Sequence, residues 1–131
     1  TMETGAADKI YHLVEEPHWK PVSEEKPYFP PTFKQDGGFT HATADPKALL
    51  TVGNHFYKDS KECWICLEIV VKNLKSNLKW EGAASVGNTK AHTKENVVFP
   101  HIYGPIHPSE VGKVYKVSRS KDGEFISIEG L

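Results

Sequence analysis

Alternating apolar and polar positions predict a strand at the start of the chain, and a continuous apolar run predicts a buried strand in its middle. In KIYHLV, residues 9–14, side chains alternate between two faces, so His12 shares a face with the apolar Ile10 and Val14. The stretch CWICLEIVV, residues 63–71, is almost continuously apolar, which is typical of a strand covered on both faces. We therefore expect it to be the central strand of a sheet.

Two short helices are predicted between these two strands. Pro17 suits the first turn of a helix, but Pro21 cannot lie deep in it, so an irregular helix is expected to end near Lys26. An Asp-Pro pair begins the second helix, and apolar residues then recur at helical spacing, which predicts a helix over about residues 46–57. The first helix is expected to bury Trp19 and Val22, and the second carries the apolar stripe Leu49, Val52 and Phe56.

Proline and glycine shape the second half of the chain. In VFPHIYGPIHP, residues 98–108, prolines hold an extended segment in which His101 and Tyr103 point the same way. Residues 82–96 are polar and contain glycine, and we interpret them as a mobile loop. The remaining strands are expected at residues 38–43, 78–81, 111–118 and 124–129, the last two as a hairpin around KDG. This order of elements indicates an α+β fold with a bent, largely antiparallel sheet.

Length and composition indicate one ordinary globular domain. The chain has 131 residues, of which 38% are hydrophobic and 25% charged, and its formal net charge is −1. We expect a single domain over residues 9–131 behind a flexible N-terminus, residues 1–8, in which Thr1 is a tag remnant. Neither the charge balance nor any apolar run favours nucleic-acid or membrane binding. We expect a cytoplasmic protein that is a monomer or a weak dimer and binds a small-molecule ligand.

The cysteines and three of the seven histidines are potential metal ligands. Cys63 and Cys66 form a C-x-x-C pair, but positions three apart on a strand face opposite sides, so we expect two ordinary thiols. His12, His41 and His101 lie in separate apolar segments, and three neutral imidazoles could bind zinc with an open fourth position. Because no His-x-His or HExxH pair is present, no metal site is predicted.

The same three histidines also fit a polar ligand pocket. A histidine inside an apolar segment costs desolvation energy unless it has a partner. Any one of these histidines can be a hydrogen-bonded core residue. The presence of three of them in separate apolar segments, however, favours their convergence on one site. In such a pocket, His and Tyr side chains donate hydrogen bonds to hydroxyl or phosphate groups while aromatic rings stack on a flat ring. The expected ligand-binding residues are His12, His41, Thr43, Tyr57, His101 and Tyr103.

Several motifs together resemble domain-of-unknown-function family 952, a small bacterial and plant family. They are KIYHLV, GFTHAT, a helix ending in HFY, KWEG and FPHIYGPI, and the resemblance covers about residues 9–118. The resemblance implies an ADP-ribosyltransferase-like α+β fold, which is a bent, mostly antiparallel split β-structure with two to three short helices around a cleft. In active relatives that cleft holds NAD.

The resemblance also implies roles for individual residues. In the active relatives a polar residue of the first strand contacts the nicotinamide-side ribose, and His12 matches that position. An aromatic residue stacks on nicotinamide, and Tyr57 or Tyr103 matches it. Many such transferases use a late-strand glutamate to stabilise a ribosyl cation, so Glu81 and His12 are the expected catalytic residues. The chain departs from known transferases because it lacks their Arg, Ser-Thr-Ser and Glu-x-Glu pattern.

Two functions therefore stay open. The first is a binding domain for NAD, ADP-ribose or a related nucleotide, with ADP-ribosyl transfer as its activity; NAD would be its substrate, and no cofactor is assigned. The second is a non-catalytic domain whose histidine-lined cleft is structural or binds a metabolite or protein. Few basic residues are expected near the cleft, which favours a small or weakly charged ligand; the candidates are Lys9, Lys58 and Lys113.

Overall fold

The computed structural model describes residues 7–82, 84–90 and 98–131 and shows mostly antiparallel β-structure with few helices, as expected of an α+β fold. The strands are β1 (Lys9–Glu15), β2 (Thr40–His41), β3 (Trp64–Val70), β4 (Asn77–Gly82), β5 (Val98–Tyr103), β6 (Val111–Arg119) and β7 (Phe125–Ile128). The helices are α1 (Glu16–Trp19) and α2 (Leu49–Phe56), and short 3-10 turns lie at Pro46–Ala48, Val71–Asn73 and Pro108–Glu110. Within these ranges no helix has the length and apolar character needed to cross a membrane.

The strands form two antiparallel sheets. The first sheet has the order β1-β3-β6-β7, and the second has the order β2-β5-β4. Strand β3 is hydrogen-bonded to β1 on one side and β6 on the other, and it is buried from Trp64 to Ile69, which confirms the central strand predicted at residues 63–71. The predicted hairpin is confirmed as well, because β6 pairs with β7 across the KDG turn.

Alternation along β1 divides the core into two clusters. The cluster on the side of Ile10 includes Ile102 of β5 and therefore joins the two sheets. The cluster on the side of Tyr11 includes Leu49 and therefore holds α2 against the first sheet. His12 lies on the same face as Ile10 and is only 4% exposed. The fold thus places His12 where the two sheets meet.

The first helix is shorter than predicted. It ends at Trp19 rather than near Lys26, because Pro21 has no amide hydrogen to continue the helical hydrogen bonds. Trp19 and Val22 are half-buried rather than buried, and both pack against the edge of the core cluster that joins the sheets.

The segment around the second helix crosses from one sheet to the other. Asp45 accepts a hydrogen bond from the backbone amide of Lys47 at 2.9 Å and caps the 3-10 turn that leads into α2, so the predicted helix start is confirmed. The strand predicted at residues 38–43 is only two residues long. It is short because Thr43 leaves the second sheet and pairs with Tyr11 of β1 through an isolated bridge.

The polar loop expected at residues 82–96 is described in part. Residues 84–90 contain a turn closed by two backbone hydrogen bonds between Val86 and Thr89. Residues 83 and 91–96 of the expected loop lie outside the described residues. The same holds for the first six residues of the expected flexible N-terminus.

Gly53 lets α2 pack closely on β7. An added Cβ would lie 2.5 Å from the ring of Phe125, which is buried. We expect Gly53→Ala to lower the free energy of unfolding by about 1–2 kcal/mol, because the overlap outweighs the gain in helix propensity. Urea unfolding measures this change. Thr51→Ala, at an exposed position of the same helix, is the control, and an equal loss in both variants would contradict the packing argument.

Candidate functional site

Both sheets, α2 and the segment after β4 contribute to the wall of a cavity of about 500 Å³, here called the main cavity. A second cavity of about 300 Å³, the side cavity, adjoins it. Both volumes are in the size range of pockets for small molecules. The two cavities share one wall, which consists of His12, Leu13, Phe56, Tyr57 and Val86.

The three histidines singled out in the sequence meet at the main cavity. His41 of β2 lies opposite His101 of β5 in the antiparallel register, and their ring centroids are 5.4 Å apart. His12 reaches them from the other sheet, since its Nδ1 lies 2.5 Å from the backbone carbonyl oxygen of His41. All three line the main cavity. The fold therefore brings them together, and their part in ligand binding stays a prediction.

One ring nitrogen of His12 has no hydrogen-bond partner among the described residues. A carbonyl oxygen only accepts hydrogen bonds, so Nδ1 of His12 must donate, and Nε2 is then an acceptor in the neutral ring. Burial lowers the pKa of His12 to about 4, so the ring is neutral at pH 7. Within the described part of the chain, Nε2 is buried without a hydrogen-bond partner. A buried polar atom without a partner costs about 1–3 kcal/mol, so a hydrogen-bond donor that reached Nε2 would recover part of this cost.

Glu81 contacts both His101 and Tyr103, and neither Glu81 nor Tyr103 lines either cavity. Oε1 of Glu81 accepts one hydrogen bond from Nδ1 of His101 at 2.8 Å and another from the Tyr103 hydroxyl at 2.6 Å. Both hydrogen bonds lower the pKa of Glu81, and the one from Tyr103 has the larger effect. Phe39 stacks on the His101 ring with 4.3 Å between ring centroids. The site residues of the second sheet thus form one connected group.

A carboxyl group also lies beside His41, and it belongs to Asp36. Its Oδ2 lies 3.5 Å from Nδ1 of His41, and its side chain is almost fully buried. The same carboxyl group accepts hydrogen bonds from the Thr32 hydroxyl at 2.6 Å and from the Gly87 amide at 2.8 Å. Burial lowers the pKa of His41, while Asp36 and the backbone of residues 84–85 act in the opposite direction. Asp36 therefore links His41 to the turn after β4.

The predicted site residues fall into two groups. Tyr57 lies in the wall between the two cavities and stacks on Trp64, with ring centroids 4.4 Å apart. Tyr103 shares a face of β5 with His101, as predicted, but its hydroxyl is directed to Glu81 rather than to the cavity wall. The predicted residues that line the main cavity are His12, His41, Thr43, Tyr57 and His101.

The basic residue beside the main cavity is not one that the sequence singled out. Lys47, in the 3-10 turn before α2, belongs to the wall. The lysines expected near the cleft, Lys9, Lys58 and Lys113, do not. Lys9 instead lies 3.7 Å from the carboxylate of Glu68. The sequence feature that could have identified Lys47 is its position at the start of the predicted second helix, because loops beside such elements commonly carry binding residues.

The two cysteines are separate thiols. Cys63 is exposed just before β3, Cys66 is buried within it, and neither forms a disulfide. Burial raises the pKa of the Cys66 thiol to about 12, so it is not a thiolate at pH 7. Among the described residues, no group of three or more His, Cys, Asp or Glu side chains could hold a metal ion.

Two antiparallel sheets around a histidine-lined cavity define an α+β protein with a preformed pocket. Residues 13–114 match the family model described as protein of unknown function (DUF952), and the chain belongs to this family. The match confirms the family resemblance of the sequence motifs. No curated protein matches the chain.

Solved structures of protein CC0527 from Caulobacter crescentus are similar to this chain. The crystal structure has 19% sequence identity and a TM-score of 0.69, and the match covers 90% of this chain and 93% of that chain. A double mutant of CC0527 gives the same values. The solution NMR structure has 21% identity and a TM-score of 0.57, with 88% and 90% of the two chains covered. At these identities the likeness shows the fold alone.

Proposed function

We propose that this chain is an ADP-ribosyltransferase-like domain that binds a ribosyl or nucleotide ligand, of the class of NAD or ADP-ribose, in the main cavity. The observation that carries the proposal is the buried Nε2 of His12, which lacks a partner in the described chain, on a residue that lines both cavities. A ribose hydroxyl is a donor that suits this acceptor. The position of His12 on β1 also agrees with the role that the superfamily resemblance implies.

The arrangement of the cavities suits a ligand with two ring systems. The main and side cavities adjoin along a wall that includes Phe56 and Tyr57, so two rings joined by a linker could occupy them together. Aromatic side chains offer flat apolar surfaces on which such rings stack. Tyr57 is therefore the stacking residue of this proposal.

The charges around the main cavity support a phosphate-binding position at its rim. Among the described residues of its wall, Asp45 and Lys47 are the ones with a formal charge at pH 7, and both are exposed. A phosphate group would bind beside Lys47, while the uncharged part of the ligand would lie deeper, beside His12. One lysine gives limited charge compensation, so the inner hydrogen bonds and stacking supply most of the affinity.

ADP-ribosyl transfer is the further activity proposed for this site, with His12 and Glu81 as the catalytic residues. Glu81 would have to reach a ribosyl cation, yet its Oε1 is bound by His101 and Tyr103 and the residue lies outside both cavity walls. This observation favours the second candidate, a domain that binds a metabolite without catalysing its transfer.

Isothermal titration calorimetry with NAD, ADP-ribose and nicotinamide tests the proposal. The wild type should bind at least one of the two nucleotides, and His12→Asn should weaken that binding about tenfold, because one hydrogen bond is worth about 1–1.5 kcal/mol. Asparagine keeps an N–H that can donate to the carbonyl of His41 but has no atom at the position of Nε2. Lys116→Ala, at an exposed position of β6, is the control and should bind as the wild type does.

Each part of the proposal has its own contrary result. If neither nucleotide binds, the proposed ligand class is wrong. If wild type and His12→Asn bind equally, His12 is not the acceptor. Release of nicotinamide from NAD separates the two candidate functions. Release at saturating NAD that is lost in Glu81→Ala supports transfer, and binding without release supports the non-catalytic domain.

A further inference from the structure

Three side chains of the second sheet form a connected group that ends at the main cavity. Tyr103 and His101 are two residues apart on β5 and so share a face, which Glu81 of the adjacent strand β4 also shares. Oε1 of Glu81 accepts hydrogen bonds from Nδ1 of His101 at 2.8 Å and from the Tyr103 hydroxyl at 2.6 Å. Of these three side chains, His101 is the one that lines the cavity.

The position of the proton on His101 follows from this geometry. The hydrogen bonds from Tyr103 and His101 lower the pKa of Glu81, so it is a carboxylate at pH 7, and a carboxylate only accepts hydrogen bonds. Nδ1 of His101 must therefore carry a hydrogen. Burial lowers the pKa of His101, against the opposing effect of Glu81, so the ring is neutral. Its Nε2 then carries a lone pair, to which no side chain or backbone group of the described residues donates a hydrogen bond.

Packing holds the imidazole ring of His101 in one orientation. Phe39 stacks on one face of the ring at an interplanar angle of 22°. Glu81 binds the ring edge that carries Nδ1, and the amino group of Lys79, 4.7 Å from the Tyr103 ring centroid, helps to hold Tyr103 in place. The ring edge with Nε2 is consequently the part of His101 left to face the cavity.

We infer that Glu81 is a positioning residue that acts through His101, and that Nε2 of His101 accepts a hydrogen bond from an uncharged or cationic donor group of the ligand, such as a hydroxyl, carboxamide or amine. This inference rests on the proposed ligand-binding function of the main cavity and assigns the ligand chemistry at its inner wall. An ionised phosphodiester or a carboxylate there has no hydrogen to donate and would place oxygen lone pairs against the lone pair of Nε2. Lys47, the lysine in the described wall, is exposed in the turn before α2.

Nitrogen NMR of the histidine rings tests the first part of the inference. In protein labelled with ¹⁵N-histidine, the two-bond correlations distinguish a protonated ring nitrogen from an unprotonated one. His101 should carry its hydrogen on Nδ1 in the wild type and in Glu81→Gln, whose amide oxygen can replace Oε1. Glu81→Ala should show a mixture of the two tautomers, because nothing then selects Nδ1. A hydrogen on Nε2 in the wild type would overturn the inference.

Small probes then test the donor preference of Nε2 without knowledge of the natural ligand. Nicotinamide and D-ribose, which offer carboxamide and hydroxyl donors, should shift the Nε2 signal, whereas inorganic sulfate, an anion with acceptor oxygens and no hydrogen at pH 7, should leave it unchanged. Glu81→Ala should lower the affinity for the tighter-binding donor probe about five- to tenfold. Glu81→Gln should bind that probe within twofold of the wild-type affinity. A larger response to sulfate, or no response to either donor, would overturn the inference.

The two proposals for this cavity can fail separately. If Nε2 of His101 responds to the donor probes but neither NAD nor ADP-ribose binds, the proposed nucleotide function is wrong and the inferred role of Glu81 and His101 is supported. If NAD binds while His101 carries its hydrogen on Nε2, the nucleotide function stands and the role assigned to Glu81 falls.

Discussion

Lowering the pH from 7 to about 4 is expected to remove about 3 kcal/mol of unfolding free energy through His12 alone. Burial lowers the pKa of this side chain from the ordinary value of 6.5 to about 4. Between these two values the unfolded chain binds a proton that the folded protein does not. The contribution of His12 to stability is therefore complete above pH 6.5 and is lost as the pH falls toward 4. Below that pH both states are protonated and the loss no longer grows.

Urea unfolding of the wild type and His12→Asn at pH 7 and pH 4 measures this contribution. Burial also lowers the pKa values of His41 and His101, which add a loss of the same sign in both proteins. Hydrogen bonds lower the pKa values of Glu24 and Glu81. The stability that these two carboxylates contribute is lost on acidification in both proteins as well. The wild type should therefore lose more stability than the variant. Equal losses would show that His12 is not held neutral by burial.

Glu110→Ala is expected to lower the free energy of unfolding by roughly 2–4 kcal/mol. The side chain of Glu110 is fully buried, and its carboxyl group accepts hydrogen bonds from the backbone amides of Lys75 at 2.8 Å and His107 at 2.9 Å. These amides precede β4 and β6, so one side chain joins the entry segments of two strands. Alanine would leave both donors without their partner. Urea unfolding at pH 7 measures the loss.

Glu24→Ala is a matched control for this prediction. Glu24 bridges the same two segments, because it accepts hydrogen bonds from the Ser109 amide at 2.8 Å and from Nζ of Lys75 at 3.2 Å. It is exposed, so water can replace its contacts, and its removal should cost a small fraction of the loss in Glu110→Ala. If the two variants lose the same stability, burial of Glu110 is not the cause of its effect.

The sequence predicted the elements whose pattern is local. The alternation of KIYHLV gave the position of β1, and the continuous apolar run gave β3 and its central place in the first sheet. The prolines of VFPHIYGPIHP correctly indicated extended chain, which is β5, with His101 and Tyr103 on one face. These features depend on neighbours a few positions apart, so a reader of the sequence can find them.

The predictions that were wrong or missing depend on contacts between distant segments. The strand expected at residues 38–43 is short because Thr43 pairs with β1, and no local pattern shows that exchange of partners. Asp36 lies in a loop rich in turns, yet its carboxyl group contacts both His41 and Gly87. Glu110 was not singled out in the sequence, and it is fully buried in the fold.

By itself, the sequence determined which segments are strands and which three histidines stand among apolar residues, because side-chain alternation and apolar runs are properties of neighbouring positions. The tertiary structure decided which group each imidazole meets. The antiparallel register of β5 with its neighbours places His101 beside His41 and Glu81, and the junction of the two sheets places His12 against the carbonyl of His41. Strand register and sheet packing are set by the whole core, so the hydrogen-bond partners that define the cavity follow from the assembled fold.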